Sequence, residues 1–248
     1  STLSPTPLPT ALPVSRMWFG DVRDTTLLHK ALHNIHTVYY LAAFKKNIAV
    51  HTKSSFVALS SNVLPFLSFL EGIKGSDVQR VVYASSTIVE YAHTLEHPLD
   101  GYVLGKYINE LSLSAYQQEY GRNICVVRMA PLYGPGDNFN PETANFIPSL
   151  IQKIDHAETY IDVWGTGKRK LQFLYIDDAI ANLIAVGRGK GAFYVFGNPE
   201  SESVDSIVKK IVRHMGKKLS LRHDIHKPDK ATQLSTFTNL ISPKISID

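Results

Sequence analysis

The chain of 248 residues is poor in several things, and each shortage closes off a class of protein. It has a single cysteine, Cys125, set in the apolar run Ile124-Cys125-Val126-Val127. That excludes an internal disulfide framework and a cysteine-based metal site, and it is compatible with a reducing, cytoplasmic compartment. No uninterrupted apolar run is long enough to span a membrane. The most apolar stretch, Phe56 to Ile73, is broken by Pro65, Glu71 and serines and reads as a core helix. Positive charge is thinly spread: net charge is +4, and the one dense cluster is Lys168-Arg169-Lys170. That is too little for a nucleic-acid groove, but enough to attract a phosphorylated small molecule. Internal repeats are absent. So is any Gly-x-x-Gly-x-x-Gly segment.

Charged residues make up 19% of the chain and hydrophobic ones 44%, enough for a sizeable core in one or two lobes. Residues 1 to 16 hold four prolines and no acidic residue and read as a disordered lead-in. Beyond them, buried strands are expected at His36 to Ala43, Val81 to Ala84 and Ile124 to Met129. Helices are expected at Thr25 to Asn34, Ser54 to Ile73 and Tyr102 to Tyr120, the last capped by Asp100 and closed by Gly121. This alternation predicts an α/β, doubly wound parallel sheet with helices on both faces. From Pro131 the texture changes. A helix from Glu142 to Ile154, strands at Tyr160 to Trp164 and Phe193 to Phe196, and a helix from Ser203 to Met215 are read as a smaller lobe. The expected division is residues 17–134 and 135–248.

The stretch Arg80 to Glu110 carries the chemistry. Ser85, Ser86 and Thr87 stand where a strand should end, and Tyr102 and Lys106 are four apart on the following helix, on one face. Free tyrosine ionises near pKa ~10, so a neighbouring ammonium is expected to lower that value for proton transfer. A Tyr-x-x-x-Lys pair also arises by chance, as a half-buried tyrosine beside a solvated lysine, and the rest of the chain has to decide. His93 and His97 are four apart, but Pro98 and the lack of a nearby cysteine argue against a metal site. Asp177-Asp178 reads as an acidic helix start rather than a carboxylate pair.

In fixed order, the residues resemble the extended short-chain dehydrogenase/reductases, the NAD-dependent epimerase/dehydratase family, over most of residues 18 to 240. Gly20-Asp21-Val22-Arg23-Asp24, Val38 to Ala43, Asn62, Ser85-Ser86, Tyr102, Lys106, Glu110, Arg128 and Tyr133-Gly134-Pro135 carry the likeness. Within the family, Gly134 to Phe139, Ile147-Pro148 and Trp164-Gly165-Thr166-Gly167 look most like the GDP-L-fucose synthases.

The resemblance implies a Rossmann-like domain, here without the first βα unit, and a C-terminal substrate lobe. It implies NAD or NADP as cofactor, held by Asp21, Val22, Leu41, Ala42, Ala43, Asn62 and Lys106. The substrate implied is a nucleotide sugar, with hydride transfer served by Tyr102, Lys106 and Ser86, or Ser85 in the alignment to the fucose synthases. Thr87 and Asn145 fall where those enzymes carry their epimerising Cys and His, and the usual diphosphate-binding Arg falls at Leu171, with Arg169 or Lys170 as substitutes. A homodimer is compatible with this reading, and neither nucleic acid nor membrane is implied. Two other readings stay open: a truncated or non-catalytic relative, and a reductase of a non-sugar substrate such as a steroid.

Overall fold

A computed structural model describes residues 16–46, 51, 53–92, 100–190 and 192–227. The expected lead-in, apart from Arg16, and the His93/His97 pair lie outside the described residues.

Four parallel strands form the main sheet, in the order β1 (Thr37–Tyr40), β2 (Arg80–Ser86), β3 (Asn123–Met129), β8 (Phe193–Phe196). Parallel pairing needs crossovers, and helices supply them. α1 (Thr25–Ala31) precedes β1, α2 (Ser55–Ile73) joins β1 to β2, and α3 (Gly101–Tyr120) joins β2 to β3. Side chains of a strand alternate between faces. Val81, Tyr83 and Ile124 therefore meet Phe66, Phe69 and Leu113 in one core. Val82, Ala84, Cys125 and Val127 point the other way, to a second core with Ala179 and Val186 of α5 (Ile176–Arg188). Helices cover both faces, as a doubly wound sheet requires. Each fully buried Val, Leu, Ile or Phe contributes roughly 1.5–3 kcal/mol, so both layers are strongly held.

A third core belongs to a smaller unit. α4 (Phe146–His156), β5 (Tyr160–Trp164), α6 (Val204–His214) and β10 (Ser220–Asp224) enclose Ile154, Val163, Val208 and their neighbours. β5 and β10 pair in parallel. Four two-residue strands complete the set among the described residues: β4 (Leu132–Tyr133) pairs with β7 (Leu174–Tyr175), and β6 (Lys170–Leu171) with β9 (Glu202–Ser203).

Three expectations need correction. Phe193–Phe196 does not belong with the smaller unit but lies on β3, with Phe196 opposite Met129; its short apolar run carries no sign of which sheet it joins. α4 starts at Phe146 rather than Glu142, because Asn138, Asn140 and Thr143 bond among themselves and hold 138–144 as turns. β1 stops at Tyr40, so Leu41 to Ala43 run on as exposed coil.

Candidate active site

The end of β2 and the start of α3 face each other, and local chemistry places both. Asp100 Oδ1 accepts the Tyr102 N–H at 2.8 Å and the Val103 N–H at 3.3 Å, which caps the first turn. Gly121, at φ 65°, ends the helix. Between them, Gly101 and Gly105 lie one turn apart against α2. A Cβ at Gly101 would come 1.8 Å from the Ser55 carbonyl oxygen, and one at Gly105 would come 2.9 Å from Asn62 Cβ. Only glycine permits this approach, and it brings Asn62 beside the Tyr102–Lys106 turn.

Tyr102 is buried, at 8% exposure. Burial pushes its phenol up to about 12, against which a Ser86 hydrogen bond pulls down. This corrects the expected depression by Lys106. The Lys106 ammonium is 6.0 Å from the Tyr102 ring centroid and donates to the Ala84 carbonyl at 2.6 Å, with the Tyr83 ring 4.7 Å away. Desolvation outweighs charge here. Lys106 itself is lowered to about 8, first by burial and then by the Lys45 charge, while Glu110 acts the other way.

Of the two serines, Ser86 is the one beside the phenol. Ser85 points to the opposite side of β2 and donates to Glu110 Oε1. Glu110 is also gripped by Arg128, through Nε at 3.0 Å and Nη2 at 2.7 Å, so the Ser85 hydroxyl is engaged in a structural network. Thr87 follows Ser86 directly and is 1% exposed, and its hydroxyl oxygen is buried without a protein partner.

Asn62 acts on the backbone after β1. Its Oδ1 accepts the Phe44 N–H at 3.0 Å, and its amide nitrogen donates to the Phe44 and Ala58 carbonyls at 3.1 and 2.7 Å. It thereby fixes the coil that carries Leu41, Ala42 and Ala43 at the carboxyl end of the sheet. Asp21 is ion-paired with Arg23 at 2.6 Å, and hydrogen bonds from Arg23 hold its carboxyl at about 2. Val22 packs on the first core. Asn145, Arg169 and Lys170 are carried by the smaller unit, at the start of α4 and on or beside β6.

Two residues near the phenol carry no signal in the sequence. The Lys45 ammonium is 4.6 Å from the Tyr102 ring centroid, and the His51 ring stacks on it at 5.1 Å and 14°. Their approach is a long-range contact, which no local pattern records. A separate groove of about 870 Å³ lies on the smaller unit, among Lys153, Tyr160, Trp164 and Arg222, and includes none of Ser86, Tyr102 or Lys106. Among the described residues no cluster of three His, Cys, Asp or Glu is placed to hold a metal ion.

Residues 3–195 match the model of the NAD dependent epimerase/dehydratase family. The chain belongs to that family. Among its curated members, the chain is 25% identical over 209 residues to the dTDP-4-dehydro-6-deoxy-D-allose reductase of Streptomyces bikiniensis, covering 79% of this chain and 64% of that one. It is 27% identical over 238 residues to GDP-L-fucose synthase 1 of Arabidopsis thaliana, covering 85% and 73%. The chain thus spans about two thirds of the length of these epimerase/dehydratase relatives. In three dimensions it resembles the UDP-N-acetylglucosamine 4-epimerase of Methanobrevibacter ruminantium M1, solved in complex with UDP-N-acetylmuramic acid. The TM-score is 0.74 at 21% identity, over 85% of this chain and 70% of that one.

Proposed function

We propose that this chain acts on a nucleotide sugar by NAD(P)-dependent hydride transfer, with Tyr102 as the proton donor and acceptor. The observation that carries this reading is the buried Tyr102 phenol, whose ionised form Ser86 at the end of β2 favours, with Lys106 one turn away. Family membership and the nucleotide-sugar names of the relatives support the substrate class.

The residues present fit the nicotinamide half of the cofactor. Leu41 to Ala43 leave an exposed edge at the carboxyl end of a parallel sheet, where such sheets take ligands. Near the end of β2 the Lys106 ammonium donates to the Ala84 carbonyl, and the Thr87 hydroxyl oxygen is a buried polar atom without a protein partner. Bound there, the cofactor supplies or accepts the hydride. Lys106 would hold its ribose, Asp21 and Val22 would face its adenine end, and Asn62 would hold the supporting coil. Arg169 and Lys170 are the candidates for the substrate diphosphate, and Asn145 and Thr87 for the sugar.

Burial keeps Tyr102 protonated at neutral pH, which suits a general acid. As carbonyl carbon accepts hydride, its oxygen gains negative charge, and the Tyr102 proton neutralises it while the Ser86 hydroxyl donates to the same oxygen. In the reverse direction the phenolate takes the proton from the sugar hydroxyl, and Ser86, which pulls the Tyr102 pKa down, favours that state. Thr87 and Asn145 in place of Cys and His leave no evident acid/base pair for a double epimerisation, so a single reduction or oxidation at one carbon fits the residues best.

The test is a thermal-shift and calorimetric titration with NAD+, NADH, NADP+ and NADPH. A site that binds only the native state adds about 2.7 kcal/mol at a hundred times Kd. A shift with one cofactor pair is expected, and no shift with any of the four on folded protein would overturn the proposal.

A further inference from the structure

We propose that His51 is the positioning residue of Tyr102: its imidazole lies flat against the phenol, walls it from water and ties it to the coil after β1. The inference rests on reading Tyr102 as the proton-transfer group.

His51 is 1% exposed, and its surroundings account for both ends of its ring. Nε2 accepts the Lys46 N–H at 2.7 Å, so the ring is neutral and its proton sits on Nδ1. Nδ1 faces Asp100 Oδ1 at 3.8 Å, the same oxygen that accepts the Tyr102 N–H at 2.8 Å. Asp100 therefore fixes the main chain of Tyr102 and faces the ring stacked on its phenol. Centroids 5.1 Å apart and planes 14° from parallel are an offset stack, which adds packing beyond simple burial. Phe44, held by Asn62, has its ring centroid 6.5 Å from that of the imidazole.

The charged groups that face His51 are Lys45 and Asp100. Burial first and the Lys45 charge second lower its pKa, while Asp100 raises it. A proton on Nε2 would set donor against donor at Lys46, so the neutral ring is the form that fits. Lys46, Asn62 and His51 together make the coil that carries Leu41 to Ala43 and the wall of the phenol one connected piece.

The test needs no substrate. With tyrosine 13C-labelled at Cζ in the full chain, Tyr102→Phe assigns the Tyr102 signal, and ionisation is read at pH 10. The wild-type phenol is expected to remain protonated, because burial holds it near 12. In His51→Ala water reaches the ring and Tyr102 becomes about half ionised, at an ordinary pKa of ~10. Tyr40 and Tyr83, also raised by burial, stay protonated and report an intact fold. His51→Phe, which restores a stacked ring, returns Tyr102 to the protonated form. A Tyr102 signal unchanged in His51→Ala would overturn the proposal. So would ionisation of all three tyrosines together in both His51→Ala and the volume-preserving His51→Leu, since the ring would then serve the fold at large. Should the shift occur with no turnover on any nucleotide sugar, the activity proposed above fails and the positioning role stands.

Discussion

Gly101 and Ser55 lie so close that the hydrogen replacing a Cβ at Gly101 is what lets α3 reach α2. A methyl group there would come 1.8 Å from the Ser55 carbonyl oxygen, a backbone atom that cannot rotate away. Gly101→Ala is therefore expected to destabilise the chain by roughly 3 kcal/mol and to displace Tyr102, the next residue. Gly75 has nothing within 4 Å of its Cβ position, and Gly75→Ala should be nearly neutral. Urea unfolding of the two variants checks the contrast.

Glu110 joins three elements, accepting from Ser85 on β2 and Arg128 on β3 while standing on α3. The Arg128 and Glu110 side chains are only 16% and 10% exposed, so removing one leaves a poorly solvated charge. Glu110→Leu should cost about 3 kcal/mol, and the double variant Glu110→Leu/Arg128→Met should recover much of it. Equal losses in the single and double variants would show that the pair acts through packing rather than charge. Stability of the full double-mutant cycle measures this.

How far the residues announce these arrangements depends on the range of the interaction. The limits of α3 are legible because capping is local: Asp100 accepts from the next two N–H groups, and Gly121 adopts the left-handed turn. That helices cover both faces of the sheet is legible from the unbroken apolar runs of β2 and β3 and from the alternation of strand and helix. The choice between Ser85 and Ser86 is not, since it turns on which strand face meets Glu110, a residue 25 positions away. The place of Phe193–Phe196 is hidden for the same reason, as is the stacking of His51 on Tyr102. The direction of the Tyr102 shift is hidden too, because helical spacing shows a lysine nearby but not how dry the ring is. Local chemistry reads well; burial and long-range contact do not.

The shifted groups give opposite pH dependences of stability. Lys106 falls from an ordinary 10.5 to about 8 on folding, so its contribution is present above 10.5 and lost as pH falls to about 8. Tyr102 rises from 10.0 to about 12, so its contribution is present below 10 and lost as pH climbs to about 12. The difference in unfolding free energy between wild type and Lys106→Met should shrink by up to about 3 kcal/mol from pH 10.5 to pH 8, at ~1.36 kcal/mol per unit, and stay level below. A difference that is flat across that window would mean that Lys106 is solvated in the folded chain. Chemical denaturation at half-unit pH steps reads it out.

The most direct test of the account is isotope transfer. The chain is incubated with NAD(P)H deuterated at the transferable position and a panel of 4-keto nucleotide sugars, and the sugar products are weighed by mass spectrometry. We expect one deuterium in the sugar with wild-type protein, and at least a hundredfold less with Tyr102→Phe, as loss of a positioned proton donor typically costs 10²–10⁴-fold. Transfer that survives Tyr102→Phe undiminished, or none from folded wild-type protein, would contradict the assignment of Tyr102 and the proposed activity together.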